Sequence, residues 1–559
     1  MRPVHFALLS LISCAGPEAP KTAPAPFGDA VAATRRLADE IVSEDLLPGL
    51  SAALVSGDEL VWAEGFGLAD REKRQAATPA TVYRVGSISK LFTALAAMQL
   101  VEQGKLDLDR PLEEYLPGLG LQNPFRDEAG PVKPRQLSSH VSGLFRESPV
   151  GSYFDGSGAT PAQALASVSG QRLVHPPGRV TKYSNIGVSL FGSLVERVSG
   201  MPYTEYEARY VLGPLAMTSS SFLRTPAIDG RVATGYMQER GGRLVAAPRF
   251  ELATVAAGNL YSTVEDLAKL ARMIHGRGEV EGRRIVRAET FEQMSRPQFP
   301  AAGGRFGIGF ALGERFGEKT VEHTGAVYGF SSVFVSIPRL RLSVILLANE
   351  DVAFGPLRRL TDRLLGGAVA AVRGEAPPSE ITPVALDSAS FATAAGVYRS
   401  ADARVELREE GGRAVIVWTG HPVRLVPTGR DAFITRDRLL DGNRVIIVRD
   451  GSGKAAAVRV DDKRFDRFDP ASAPAAPAAW AAFEGEYGPD YLPVRVHVRE
   501  GRLVVECETF EYEPDPGSDG SFVFPRGTLY EDEAARFQPG LDGKAAALTL
   551  GTMRFERRR

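Results

Sequence analysis

The last third of the chain is written twice. Gly396-Val397-Tyr398 returns as Gly485-Glu486-Tyr487, and Gly412-Arg413 as Gly501-Arg502, both at an offset of 89 residues. Gly453-Lys454-Ala455-Ala456-Ala457 returns as Gly543-Lys544-Ala545-Ala546-Ala547, and Arg464-Phe465 as Arg554-Phe555, at an offset of 90. One inserted residue explains the change. Four matches in one order, at nearly one spacing, are more than the coincidences of an Ala- and Gly-rich chain. Two copies are too few for a solenoid. Short alternating runs such as Arg404 to Leu407, Arg413 to Trp418 and Arg444 to Val448, with turn residues between them, carry no long helical pattern. Two compact antiparallel β-barrels, each of roughly eight short strands, fit this length.

Prolines divide the chain around these copies. Pro377-Pro378 and Pro383 mark a linker over 372–388, and DPASAPAAPAA from Asp469 marks another over 470–480. That places one barrel at 389–469 and the second at 481–559. The region before them, 27–371, mixes patterns. Asp29 to Ser43 reads as a helix with Val31, Leu37 and Ile41 inward, and Gly49 to Val55 with Glu59 to Gly67 as a hairpin around Gly57-Asp58. A helix is expected from Ser87 to near Gly104, with Leu91, Leu95, Met98 and Val101 at helical spacing. Ser332 to Pro338 and Leu342 to Ala348 read as a strand pair, and Leu357 to Val372 as a closing helix. Strands at both ends with helices between predict an α+β unit whose sheet is built from the two ends of the region. At 559 residues the chain is too long for one core. Its 66 Lys and Arg nearly balance 68 Asp and Glu, so no broad basic surface is implied and nucleic acid is not an expected partner.

The start, MRPVHFALLSLISCAGPEAP, has one positive residue, Arg2, before an apolar run from Phe6 to Ile12. That is the layout of a secretory signal. Leu11-Ile12-Ser13-Cys14 resembles the lipobox of bacterial lipoproteins, which implies a signal over 1–14 with Cys14 as the lipidation site. The Pro- and Ala-rich stretch 15–26 then reads as a tether, and the expected location is the bacterial cell envelope, membrane-attached through the lipid. The other cysteine, Cys507, lies in the alternating run RLVVECETF and reads as a strand residue, not a nucleophile.

Three short segments in the first region carry chemistry. In SISK, Ser87 and Lys90 stand three apart, so on a helix they share a face and the amine can reach the hydroxyl. A serine is a poor nucleophile until a neighbouring base takes its proton. In KYSN, Tyr183 can relay a proton if nearby cations lower its pKa, and Asn185 can hold an amide with both donor and acceptor. The bland alternative is a packed loop tyrosine and an asparagine that caps the following helix. In EHTG, His323 could donate to a carboxylate or to the tyrosine, and Gly325 would let a substrate backbone lie against a strand edge. His140 could serve as a triad base but reads as structural, since no G-x-S-x-G elbow occurs. His175, His275, His421 and His497 do not cluster, so no metal site is expected.

The order Ser-x-x-Lys, Tyr-x-Asn, His-Thr-Gly resembles the three-motif set of the penicillin-recognising serine hydrolases: class C β-lactamases, DD-peptidases and their esterase and aminopeptidase relatives. LSSHVSGL (137–144), PPGRVTKYSNIGVSLFGSLVERVSGMPYTEY, AAGNLYSTVEDLAKL and FGIGF resemble that family too, over about Val31 to Ala371. The resemblance implies a β-lactamase/transpeptidase-like fold with a helical subdomain. It implies Ser87 as acylated nucleophile, Lys90 as its deprotonating partner and Tyr183 as proton relay, with the order of proton transfer left open between the last two. It implies that Asn185 orients the substrate amide, that His323 stands where many relatives have lysine, and that Thr324, Gly325 and Ala326 line the substrate. The backbone N–H groups of Ser87 and Ala326 would form the oxyanion hole. No cofactor is implied.

Substrates consistent with it are small peptides, amides, esters or β-lactams. D-Aminopeptidases of the family resemble this layout, with two eight-stranded, lipocalin-like barrels after the catalytic region, one of which sends a loop to the active site. No such loop is identifiable in this sequence, and the barrels read equally as packing or partner-binding modules; a D-amino-acid peptide or amide is the expected substrate, with β-lactamase or esterase activity as the alternative. A non-catalytic envelope or peptidoglycan-binding protein, and a ligand carrier working through the barrels, are the readings from other classes.

Overall fold

The computed structural model describes residues 26–239, 243–379, 381–508 and 510–558. The expected signal, Cys14 and nearly all of the tether lie outside the described residues. The first region opens with helix α1 (Gly28–Ser43), strands β1 (Gly49–Ser56), β2 (Glu59–Asp70) and β3 (Gln75–Ala76), and helix α2 (Ser89–Glu102). Helices α3 (Asn185–Ser199) and α4 (Val264–His275) follow, then strands β4 (Ala311–Arg315), β5 (Glu318–Val327), β6 (Phe330–Ile337) and β7 (Leu342–Ala348), and helix α5 (Phe354–Arg373). The sheet runs β4-β5-β6-β7-β1-β2-β3 and is antiparallel throughout. Its centre is the pairing of β1 with β7, Leu50 opposite Ala348, so the two ends of the region meet as the sequence predicts.

Period-2 alternation assigns the faces. Leu50, Ala52 and Leu54 of β1, with Val344 and Leu346 of β7, pack under α1 and α5 against Ile41, Leu360 and Leu364. Ala53 and Val55, with Ile345 and Leu347, face the other way into the core of α2, α3 and α4. Each fully buried Leu contributes roughly 1.5–3 kcal/mol. Helix α2 is buried on nearly every side, Ser89 through Met98 without a break, as a helix apolar all round should be.

The first C-terminal copy is a closed eight-stranded antiparallel barrel over Gly396–Phe468, its first strand pairing with its last at Val397–Phe468. The second copy departs from eight strands in one closed sheet. It forms a four-stranded sheet (Gly485–Tyr487 to Phe510–Tyr512) and a five-stranded sheet (Asp515–Pro516 to Met553–Glu556), joined end to end by a single bridge, Tyr487 to Arg557. Pro514 and Pro516 sit where the sheets part; neither has an N–H to give the ladder.

The duplication is nonetheless visible in side chains. Tyr398 Oη donates to Ala394 O and accepts from Arg467, whose guanidinium lies 5.5 Å from the ring centre. Tyr487 Oη donates to Phe483 O and accepts from Arg557, again at 5.5 Å. Gly396 and Gly485, at φ 142° and 153°, are held where a Cβ would press on the same two arginines. The copies differ in what they pack against. The first barrel has its own core around Tyr398, Ile416 and Phe465. The second shares one continuous core with the first region, through Phe154 on Phe555 (5.3 Å) and Tyr491 against Phe250 and Tyr328 (both 5.7 Å).

Candidate functional site

Ser87 lies in a one-turn 3-10 segment, Gly86–Ile88, and the α-helix proper begins at Ser89. The turn hands the Ser87 side chain to the cleft and sends Ser89 inward, where its hydroxyl donates to Gly86 O (2.6 Å) and accepts from Leu260 N (3.0 Å). Lys90 Nζ, buried, lies 2.9 Å from Ser87 Oγ, 2.9 Å from Asn185 Oδ1 and 2.6 Å from Ala257 O. Tyr183 Oη donates to Ser87 Oγ at 2.8 Å. Ser184, not Asn185, caps α3: its hydroxyl accepts from Gly187 N at 2.9 Å and donates to Phe145 O at 2.7 Å. Asn185, the first residue of the helix, is thereby free to turn into the site, where its Nδ2 donates to Glu147 Oε1 at 2.6 Å.

Burial pushes the Lys90 ammonium well below its usual range, with the nearby Arg146 adding to the shift and Glu147 opposing it. A neutral amine has two N–H groups and one lone pair. The N–H groups suffice for Ala257 O and Asn185 Oδ1, which leaves the lone pair facing the Ser87 hydroxyl. Tyr183 moves the opposite way from the sequence expectation. Arg146 is the charged neighbour, 5.2 Å from the ring centre, and the hydrogen bond to Ser87 also favours ionisation. Burial nevertheless outweighs both and raises the phenol to about 12. At neutral pH Tyr183 holds its proton.

Strand β5 carries the third motif past this turn. A Cβ on Gly325 would stand 2.1 Å from Val85 O and 3.0 Å from Ser87 N, and one on Gly86 (φ 51°) would stand 2.9 Å from Ala326 N. Only glycine at both places lets the backbone carrying Ala326 lie against that carrying Ser87. Thr324 is exposed and His323 buried. His323 Nδ1 lies 2.6 Å from Thr324 O, which can only accept, so Nδ1 carries the hydrogen and Nε2 is an acceptor. Burial, reinforced by Lys90, lowers this histidine to about 4. In that neutral state Nε2 has no proton to give, so the expected donation to a carboxylate or to Tyr183 is not made, and Nε2 is buried without a hydrogen-bond partner among the described residues. His140 is structural: its ring stacks on Tyr183 at 4.2 Å and its Nδ1 accepts from Ser184 N at 3.2 Å. Cys507 is buried in a strand of the second β unit, where burial drives its thiol up, away from nucleophilic use.

The structure brings Ser87, Lys90, Tyr183 and Asn185 into direct hydrogen-bond contact and sets His323 beside them, its ring 6.3 Å from that of Tyr183. The sequence reading missed the layer around them. Glu147 is buried and raised to about 7 by burial. Arg146 pairs with it at 3.3 Å. Lys182 and Glu533 form a buried pair at 2.9 Å. Lys182 adjoins Tyr183 and so was within reach of inspection. Glu533 had no local signal, since it meets Arg146 across 387 positions of chain.

A hydroxyl between a neutral amine and a phenol, under two backbone strands, can attack a carbonyl and pass its proton on. The comparisons agree. The Beta-lactamase family model matches residues 34–367. The human protein "Putative beta-lactamase-like 1" is 31% identical over 355 residues, 60% of this chain and 69% of that one. The octameric penicillin-binding protein homologue from Pyrococcus abyssi superposes with a TM-score of 0.56 and 25% identity, covering 86% of this chain and 99% of its own, so the similarity runs on into the C-terminal β units. The structure described as SurE has a TM-score of 0.52 and 25% identity, covering 79% of this chain and 100% of that one. The chain belongs to the β-lactamase family and is a serine hydrolase.

Proposed function

We propose that Ser87 is the acylated nucleophile and that the chain hydrolyses a D-amino-acid peptide or amide. The carrying observation is that Lys90 Nζ and Tyr183 Oη both stand within 2.9 Å of Ser87 Oγ. In acylation Ser87 Oγ bonds to the substrate carbonyl carbon while its proton passes to the Lys90 lone pair. The backbone N–H groups of Ser87 and Ala326 receive the developing oxyanion, each such donor being worth about 3–4 kcal/mol of barrier. The C–N bond then breaks, and the leaving amine takes its proton from Tyr183, which is refilled from Lys90. Water reverses these steps to free the acid. Asn185, anchored between Lys90 and Glu147, turns its amide toward the substrate.

Two features support the substrate class. A neutral His323 offers no fixed cation for the acidic group of a β-lactam. The second β unit reaches the residues flanking Tyr183, as the aminopeptidase layout would require. The test is turnover of a panel of D-Ala-p-nitroanilide and its L-isomer, a D-Ala-D-Ala peptide, nitrocefin and a short p-nitrophenyl ester, by wild type and Ser87→Ala. Preference for D-Ala-p-nitroanilide over its L-isomer supports the reading; fast nitrocefin turnover without amide turnover replaces it with a β-lactamase. Tyr183→Phe is expected to lower kcat far more than it raises KM, since it removes a proton relay. We further propose export and lipid attachment at Cys14, on the strength of the apolar run that ends there. Cys14→Ser should move the protein from the membrane fraction to the supernatant, and retention in the membrane would refute the anchor.

A further inference from the structure

Of the site residues, Tyr183 and Asn185 sit on the segment Lys182 to Asn185, and the segment carrying Arg146 and Glu147 lies beside it. Arg146 O accepts the N–H of Asn185 at 2.8 Å, which ties the segments together. The second β unit grips both. Glu533 Oε1 accepts the N–H of Arg146 at 2.9 Å and pairs with Lys182 Nζ at 2.9 Å, with the two paired side chains only 2% and 1% exposed. Lys182 Nζ donates as well to Glu531 O at 2.8 Å, and Thr552 Oγ1 donates to Glu147 O at 2.9 Å. Tyr530, from the same unit, lies under the Arg146 guanidinium at 5.9 Å, and that guanidinium lies over the Tyr183 ring.

An ion pair buried this deeply is commonly replaceable by apolar side chains without loss of stability. What charge and hydrogen bonds add here is a fixed position. We propose that Glu533 is a positioning residue of the hydrolase, through which the second β unit sets where Tyr183 and Asn185 stand relative to Ser87. The proposal rests on the reading of Tyr183 as proton relay. It makes the second β unit part of the catalytic centre, so that the family's three motifs alone do not complete the site in this chain.

The experiment measures the rate constant for covalent labelling of the full-length chain by a fluorophosphonate probe, alongside the melting temperature. Glu533→Gln keeps the shape and removes the charge. It is expected to slow labelling about 10- to 100-fold, the effect of a misplacement near one ångström. Lys182→Met with Glu533→Gln, which keeps an acceptor for the Arg146 N–H, should restore the melting temperature and leave labelling slow, which a merely stabilising pair would not do. In the Tyr183→Phe background Glu533→Gln should slow labelling by less than about 3-fold, because coupled residues are not additive. Thr552→Val, acting on Glu147 O, should also slow labelling and covers the case in which Glu533→Gln does not fold. Arg536→Gln, on the exposed face of the same unit, should label like wild type. Wild-type labelling by a folded Glu533→Gln or Thr552→Val, or a full additive effect on Tyr183→Phe, overturns the proposal. A Tyr183→Phe protein that labels at the wild-type rate overturns instead the relay reading beneath it.

Discussion

At the scale of the residue, two burial effects divide the work at Ser87. Burial disfavours the Lys90 ammonium, and for the same reason it keeps the proton on Tyr183. The proposed mechanism reads these as a base and an acid at one hydroxyl, with Lys90 accepting first. The pH dependence has a definite sign. Lys90 must be neutral to act, so kcat/KM rises with pH through its depressed value, then stays flat until Tyr183 begins to ionise toward about 12. Glu147 favours the Lys90 ammonium, so Glu147→Gln should shift the acid limb of the profile to lower pH, read from the pH dependence of kcat/KM. An acid limb that stays in place or moves upward would contradict Lys90 as the base. The motif residues were legible in the sequence because three short patterns recur in order. Their protonation states were not, because burial comes from side chains far along the chain.

At the scale of the element, the proposed nucleophile is placed by a break in regularity. The periodicity of Leu91, Leu95 and Met98 marks the helix, but the 3-10 turn before it separates Ser87 from Ser89 and gives them different directions. Helix α3 shows the same economy. Ser184 caps it, and Asn185 is released to the site. Ser184→Ala should cost about 1 kcal/mol of stability for the lost cap, read as a lowered melting temperature. It should also lower kcat, since the cap hydroxyl holds Phe145 O beside the Arg146–Glu147 segment. Unchanged kcat with lowered stability would mean that the cap supports the helix without placing Asn185. Helix ends at this resolution of one residue depend on hydrogen bonds that periodicity does not encode.

At the scale of the whole molecule, the duplicated β region is one sequence solution put to two uses. The same Tyr–Arg pair recurs in both copies, at 5.5 Å in each. The first copy keeps a private core and meets the first region through ion pairs such as Arg359–Asp441 at 2.6 Å. The second opens into two sheets and merges its core with the catalytic region. The repeat itself was plain in the sequence, and so was its β character. The divergence was not, because it depends on what packs outside each copy. Calorimetry of the full chain should show the first region and the second β unit unfolding in one transition, with the first barrel free to unfold in another. A second β unit that melts by itself would contradict a shared core. Truncation of residues 470–559 should leave Phe154, Phe250 and Tyr328 facing water and abolish labelling at Ser87.

The account stands on Ser87 as the residue that becomes acylated. Intact-mass analysis of the full-length chain after reaction with a fluorophosphonate, followed by peptide mapping, tests it most directly. One adduct per chain is expected, mapped to Ser87, absent from Ser87→Ala and present in Ser89→Ala. An adduct that persists in Ser87→Ala, or a folded wild-type chain that takes up no label, would contradict it.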